Sequence, residues 1–327
     1  MKRVFLSTLA GCMLAAGCGG GSDGGPAGNV DARPSSSLKI TAANAANATG
    51  VAYEAALMST SLGDLSADSG LLASGPGDVS KLDGSFGTYS KTGDQAQVPI
   101  PPQTEPCAVN GSLTISGDIE DPFTPTLTAG DFFIVDFDSC DDGLGEITDG
   151  MLDFVVDAFS GDFAGGLFDL TMTLTLTDLQ VTTADDVITS NGGASISLNT
   201  LDAPAVSTSV SGTSLTIDSN SSSETLTNFV SNQAIDAGVS PSPYALAMSG
   251  TLDSTQLSGI VSYSTPVTFE GFDLDYPGTG EFLVEGDNSS ARLIAIDNVN
   301  VRIEVDTDGN GTVDETINTT WAELTAS

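Results

Sequence analysis

The chain has 327 residues, of which 44 are acidic and only eight basic, and it contains no histidine. A net charge of −36 repels phosphate backbones and anionic headgroups, so nucleic-acid binding is excluded. The missing histidine removes the usual general base of Ser, Cys and Thr nucleophiles and the commonest transition-metal ligand.

Lys2 and Arg3 precede a short apolar run, Val4 to Ala16, and "LAAGC" then ends at Cys18 before "GGGSDGG". This order is a secretory signal whose apolar part is too short to stay in a bilayer as a span. The small residues before Cys18 resemble the lipobox of bacterial lipoproteins. That resemblance implies removal of residues 1–17, a diacylglycerol on the Cys18 thiol and membrane attachment through it. Gly19, standing where that family would carry Asp for inner-membrane retention, implies the outer membrane. "LAGC" at residues 9–12 also fits the box, but Cys12 would leave an unusually short apolar region. No later stretch approaches the roughly 18 apolar residues that a span needs, so the lipid would be the anchor. A Cys-Gly-rich tether ahead of a β-rich body is similar to many Gram-negative lipoproteins, a likeness that supplies no activity.

Residues 18–39 are rich in Gly, Ser, Ala and Asp and read as a flexible tether. Residues 40–65, "ITAANAANATGVAYEAALMSTSLGDL", predict one helix from their alanine density, with Gly50 as the place to break it. Residues 66–106 are loop-like and end in "VPIPPQTEP", a stiff extended lead-in to Cys107. Cys107 and Cys140, the two cysteines left after the signal, form a disulfide in an oxidising periplasm.

From Cys107 to the end the pattern is β. "LFDLTMTLTLTDLQV" (167–181) alternates strictly, with Leu170, Met172, Leu174 and Leu176 on one face and Thr171, Thr173, Thr175 and Thr177 on the other. About a dozen such runs, separated by hairpin-length turns, predict a mainly β fold. It is a large antiparallel meander over 107–327, forming a β-sandwich or a partly closed barrel, with one short N-terminal helix. A barrel facing lipid would need aromatic girdles, and aromatics make up only 6% of the chain.

Residues 92–291 contain no Lys or Arg, so their carboxylates must be solvated, hydrogen-bonded or neutralised by cations. No zinc cluster, phosphate-cradling loop or dinucleotide fingerprint is present. A carboxylate-pair hydrolase stays open in principle, although sugar-processing clefts usually carry stacking aromatics and Trp321 is the only tryptophan. The constellation with metal-ligand spacing is "DTDGNGTVD". Asp306, Asp308, Asn310 and Asp314 occupy positions 1, 3, 5 and 9, Gly311 takes the tight turn at position 6, and Thr312 offers a backbone carbonyl at position 7. It resembles the calcium loop shared by EF-hands, dockerins and the integrin α-chain propeller. That likeness implies calcium ligation alone: Ile317 replaces the glutamate of position 12, and strand-like runs flank the loop. Lacking a bidentate ligand, the site is expected to bind calcium weakly, at about 10⁻⁴ to 10⁻³ M. A second acidic knot, Asp136, Asp138, Asp141 and Asp142 around Cys140, has no loop template and reads as a solvated turn.

The expectation is a non-catalytic, lipid-anchored cell-envelope protein with a calcium-stabilised β domain that meets a ligand or partner protein. The alternatives are a periplasmic carrier or chaperone for a small apolar molecule, which requires an unfilled apolar cavity, and a carboxylate-dependent hydrolase.

Overall fold

The computed structural model describes residues 36–68, 98–120, 127–141, 143, 145–162, 165–184, 186–273 and 275–325, with only the backbone at 63–68. The expected signal peptide, Cys18, most of the tether and most of the 66–106 lead-in lie outside these residues.

Helix α1 (Ala45–Asp68) comes first and runs unbroken through Gly50. The strands follow in order: β1 (Val98–Pro106), β2 (Asn110–Ile119), β3 (Phe132–Asp141), β4 (Ile147–Asp162), β5 (Leu167–Thr182), β6 (Val187–Asn199) and β7 (Ala205–Asp218). Then come β8 (Ser223–Asp236), β9 (Pro243–Ser254), β10 (Gly259–Phe272), β11 (Thr279–Gly286), β12 (Ser289–Ala295), β13 (Asn300–Asp306) and β14 (Glu315–Thr320). A single helical turn, α2 (Trp321–Leu324), follows. The strands form one 14-stranded antiparallel sheet in sequence order, and β1 and β14 do not pair with each other. This is the expected meander, as one open sheet.

Alternation decides which way the sheet faces. On β5, Leu170, Met172, Leu174 and Leu176 are at most 4% exposed, while the threonines between them lie on the other face. Burying each such side chain contributes about 1.5–3 kcal/mol. The polar face thus points outward, the reverse of a lipid-facing barrel, where apolar side chains must point out.

The sheet curls around α1, which packs against β6–β9, β11–β13 and α2. Small residues surround the helix axis: Ala45, Ala48, Ala52, Ala55 and Ala56 are all essentially inaccessible. The buried positions cover most of the helix, and a stripe of partly buried residues that includes Asn47, Glu54 and Ser61 runs along the remaining side. Its buried hydroxyls are satisfied locally, Thr49 donating to the Ala45 carbonyl and Ser59 to that of Ala56, while Thr60 meets Ser231 at 2.6 Å. Tyr53 wedges edge-on against Phe269 and Phe282 and lies 5.1 Å from the Trp321 ring.

Two segments refine the expectations. "VPIPPQTEP" is not a bare lead-in but strand β1, paired antiparallel with β2, so pairing begins at Val98, ahead of Cys107. Proline fits here because β1 is an edge strand, and the register breaks between Ile100 and Gln103, where Pro101 and Pro102 sit. The Cys107–Cys140 disulfide, with Cα atoms 5.4 Å apart, ties the end of β1 to β3 across β2. Ahead of α1, Ser36–Ile40 crosses one rim of the sheet. Leu38 donates to the Ile260 carbonyl and accepts from Asp287 N–H, and Ile40 N–H donates to the Ser289 hydroxyl.

Among the described residues only two ion pairs form, Arg292–Glu281 at 3.3 Å and Arg302–Glu304 at 3.1 Å. Both involve exposed arginines and are worth little. Carboxylates are instead held by hydrogen bonds. Asp131, 2% exposed, accepts from the Glu120 and Thr128 amides and the Thr128 hydroxyl.

Candidate metal centre

The β13–β14 connection is a loop whose ends are held by the sheet. Val305 pairs with Glu315, and Asp314 N–H donates to the Val305 carbonyl at 2.8 Å. Between these ends the backbone reverses through Gly309 and Gly311, at φ +72° and +79°. That left-handed region disfavours any residue with a Cβ, which is why glycine stands at both positions.

With the reversal fixed, side chains at alternate positions turn inward. Asp306, the last residue of β13, accepts from the Asp308 and Gly309 amides on Oδ1 and from Gly311 on Oδ2, at 2.7–3.2 Å. Asp314 Oδ2 takes the amide and hydroxyl of Thr307 at 2.8 and 2.6 Å. Asp308 Oδ1 takes only the Asn310 amide, at 3.2 Å. Asn310 directs its side-chain oxygen to the Thr312 amide and hydroxyl. Partial desolvation would raise the Asp306 carboxyl, but the amides of Gly311, Gly309 and Asp308 outweigh it and hold the group below the usual carboxylate range. The Thr307 hydroxyl and amide hold Asp314 low as well. Both are therefore anionic at neutral pH, the form a hard cation requires.

Asp306, Asp308 and Asp314 each offer an oxygen, and the three lie within 4.8 Å of one another. Oxygens that share one calcium at about 2.4 Å can be no more than about 4.8 Å apart, so the set fits one ion. Each carboxylate has about four lone-pair positions, which leaves acceptors beyond the amides already bound. Among the described residues this is the one cluster of three carboxylates or thiols with such geometry. Of the five expected ligands the structure gathers these three carboxylates. Asn310 and Thr312 lie in the same loop, engaged with each other.

Sequence reasoning missed what the loop stands on. Gly309 lies against the backbone of Asn288 in the β11–β12 turn, and a Cβ at Gly309 would be 3.0 Å from the Asn288 carbonyl carbon. The same turn holds the entering chain at Leu38 and Ile40. Only the turn residues Asp-Asn-Ser-Ser signalled its presence.

The second acidic knot stays dispersed. Asp136 and Asp138 are exposed, Asp141 accepts from Gly143 N–H at 2.8 Å, and Asp142 lies outside the described residues. No described helix is long and apolar enough to cross a membrane. Comparison with protein-family models, curated proteins and solved structures finds no match to this chain.

Proposed function

We propose that the chain is a lipid-anchored, non-catalytic protein of the outer membrane. Its β domain is stabilised by calcium at Asp306, Asp308, Asn310, the Thr312 carbonyl and Asp314, and serves to bind a ligand or a partner. The observation that carries the calcium reading is the convergence of three carboxylate oxygens on a space of single-ion size, in a protein with almost no internal positive charge. Attachment through Cys18 rests on the sequence. The fold is compatible with it, because the described chain enters at one rim of the sheet through Ser36–Ile40. The carrier alternative needs an apolar cavity between sheet and helix, and among the described residues α1 packs into that space.

Asp308 is the ligand to test. It makes a single loop contact where Asp306 makes three, so Asp308→Ala removes a metal ligand at small cost to the metal-free loop. At 10 mM calcium and the expected affinity, binding adds about 1.4–2.7 kcal/mol to stability. The melting temperature should therefore rise with calcium over EDTA in the wild type and stay fixed in the variant. Identical responses in the two proteins would end the proposal.

A further inference from the structure

We infer that the rim opposite the chain's entry carries a binding groove for an organic cation, an ammonium group bearing an apolar body. In an antiparallel meander alternate turns share a rim. The β9–β10, β11–β12 and β13–β14 turns lie with the entering chain and the calcium loop, while the β6–β7, β8–β9, β10–β11 and β12–β13 turns lie at the other end. At this end the strand ends of β7 to β11 and the β10–β11 and β12–β13 turns border a groove of about 740 Å³, within the size range of small-molecule sites.

Aromatic rings form part of its wall. Phe272 is 56% exposed and Tyr276 39% exposed, unusual for large apolar rings, while the buried Tyr244 borders the groove. Tyr276 stacks on the buried Trp321 at 5.5 Å and 4°, so its exposed area belongs to its other face and its edge. The tyrosine hydroxyls are occupied within the protein. Tyr244 donates to the Asp275 carbonyl, and Tyr276 meets the Thr325 hydroxyl at 2.9 Å. What the two exposed rings, Phe272 and Tyr276, offer is therefore their faces, which attract cations through the ring quadrupole.

Small and apolar residues make up much of the remaining wall, four carboxylates (Asp236, Glu270, Asp275 and Asp297) stand in it, and no basic residue is among its described lining. Asp297 is committed to its own turn, accepting from the amides of Val299 and Asn300 and from the Asn300 side chain. Asp236 accepts from Gly238. Glu270 and Asp275, by contrast, make no side-chain hydrogen bond or ion pair among the described residues. Exposed ring faces beside uncommitted carboxylates match an ammonium with an apolar body, and they repel anions. This inference stands apart from the calcium proposal, since the two sites lie at opposite rims.

The test is equilibrium dialysis of the full chain against choline at fixed ionic strength in EDTA, which keeps the calcium loop out of the measurement. The comparison ligands are 3,3-dimethylbutan-1-ol, its uncharged isostere, and glucose. Choline should bind saturably at millimolar concentration and the two neutral ligands at least about tenfold more weakly. Phe272→Ser and Glu270→Gln, both exposed and expected to melt as the wild type does, should each weaken choline by about threefold or more. Absence of saturable choline binding, equal binding of either neutral ligand, or unchanged affinity in both variants would overturn the inference.

Discussion

The carbonyl oxygen of Leu38 occupies the position from which a side chain on Gly286 would grow: a Cβ there would be 2.0 Å from it. Backbone, not a yielding side chain, fills that space, and the same carbonyl accepts from Asp287 N–H at 2.7 Å. Gly286→Ala must therefore displace the Ser36–Ile40 segment. Overpacking of this kind costs about 1–3 kcal/mol. We expect the melting temperature to fall by several degrees and proteolysis near residue 40 to accelerate. A variant that melts and cleaves as the wild type does would show that the segment is not fixed at this rim.

Glu224 ties stability to pH. It lies on the inner face at the start of β8, 6% exposed; Oε1 accepts from the Ser254 hydroxyl at 3.0 Å, and Oε2 has no partner among the described residues. Burial pushes its carboxyl up to about 7, against a partial lowering by Ser254 and a further rise from nearby Asp253. Because the folded value is raised, the unfolded chain loses its proton first as pH rises. The contribution of Glu224 is complete below about 4.5, declines between about 4.5 and 7, and is gone above. The loss amounts to about 3 kcal/mol. Glu224→Gln should flatten the fall in melting temperature between pH 5 and 8 relative to the wild type, whatever its effect at a single pH. Parallel curves would place the slope elsewhere, with Glu54, also raised by burial to about 7, the next group to replace.

What could be read from sequence followed the range of the forces involved. The Leu/Thr alternation of β5 is local, and it fixed strand, face and wetness together. The Asp306–Asp314 loop was legible for the same reason, since the carboxylate spacing and turn glycines fall within nine consecutive residues. Strand β1 was not legible, because its prolines report local stiffness while its edge position is a property of the whole sheet. The burial of α1 was hidden as well: an alanine-rich stretch without a strong apolar stripe does not reveal that a sheet will wrap it. The groove draws Tyr244 from β9, Glu270 from β10, and Tyr276 and Asp297 from two turns, so no contiguous motif announces it.

The disulfide should protect the open edge more than the core. Cys107 and Cys140 are 33 residues apart in sequence, and closing a loop of that size stabilises the fold by about 4 kcal/mol in the chain-entropy model. Cys140 is in β3, beyond which β2 and then β1 complete that end of the sheet. Reduction, or Cys107→Ala with Cys140→Ala, should raise amide exchange across β1 and β2 well before it reaches β10–β13. Uniform acceleration through the whole sheet would mean that β1–β3 unfold only together with the rest.

Trp321 closes the far rim, and its indole shows how. Fully buried, it donates Nε1–H toward the carbonyls of both Pro277 and Asp297 at 3.2 Å, joining the β10–β11 and β12–β13 turns, while Tyr53 of α1 and Tyr276 pack its ring. Trp321→Phe keeps a ring but leaves both carbonyls without this donor, at a cost of about 1–3 kcal/mol, to which the smaller ring adds a packing defect. As the only tryptophan it also gives a clean optical signal. Emission in the native wild type should be blue-shifted and shielded from acrylamide. Tyr276→Ala, which uncovers one face of the indole, should shift the emission red and raise quenching without unfolding the sheet, as followed by far-ultraviolet circular dichroism. A red, readily quenched tryptophan in the unaltered protein would contradict this packing.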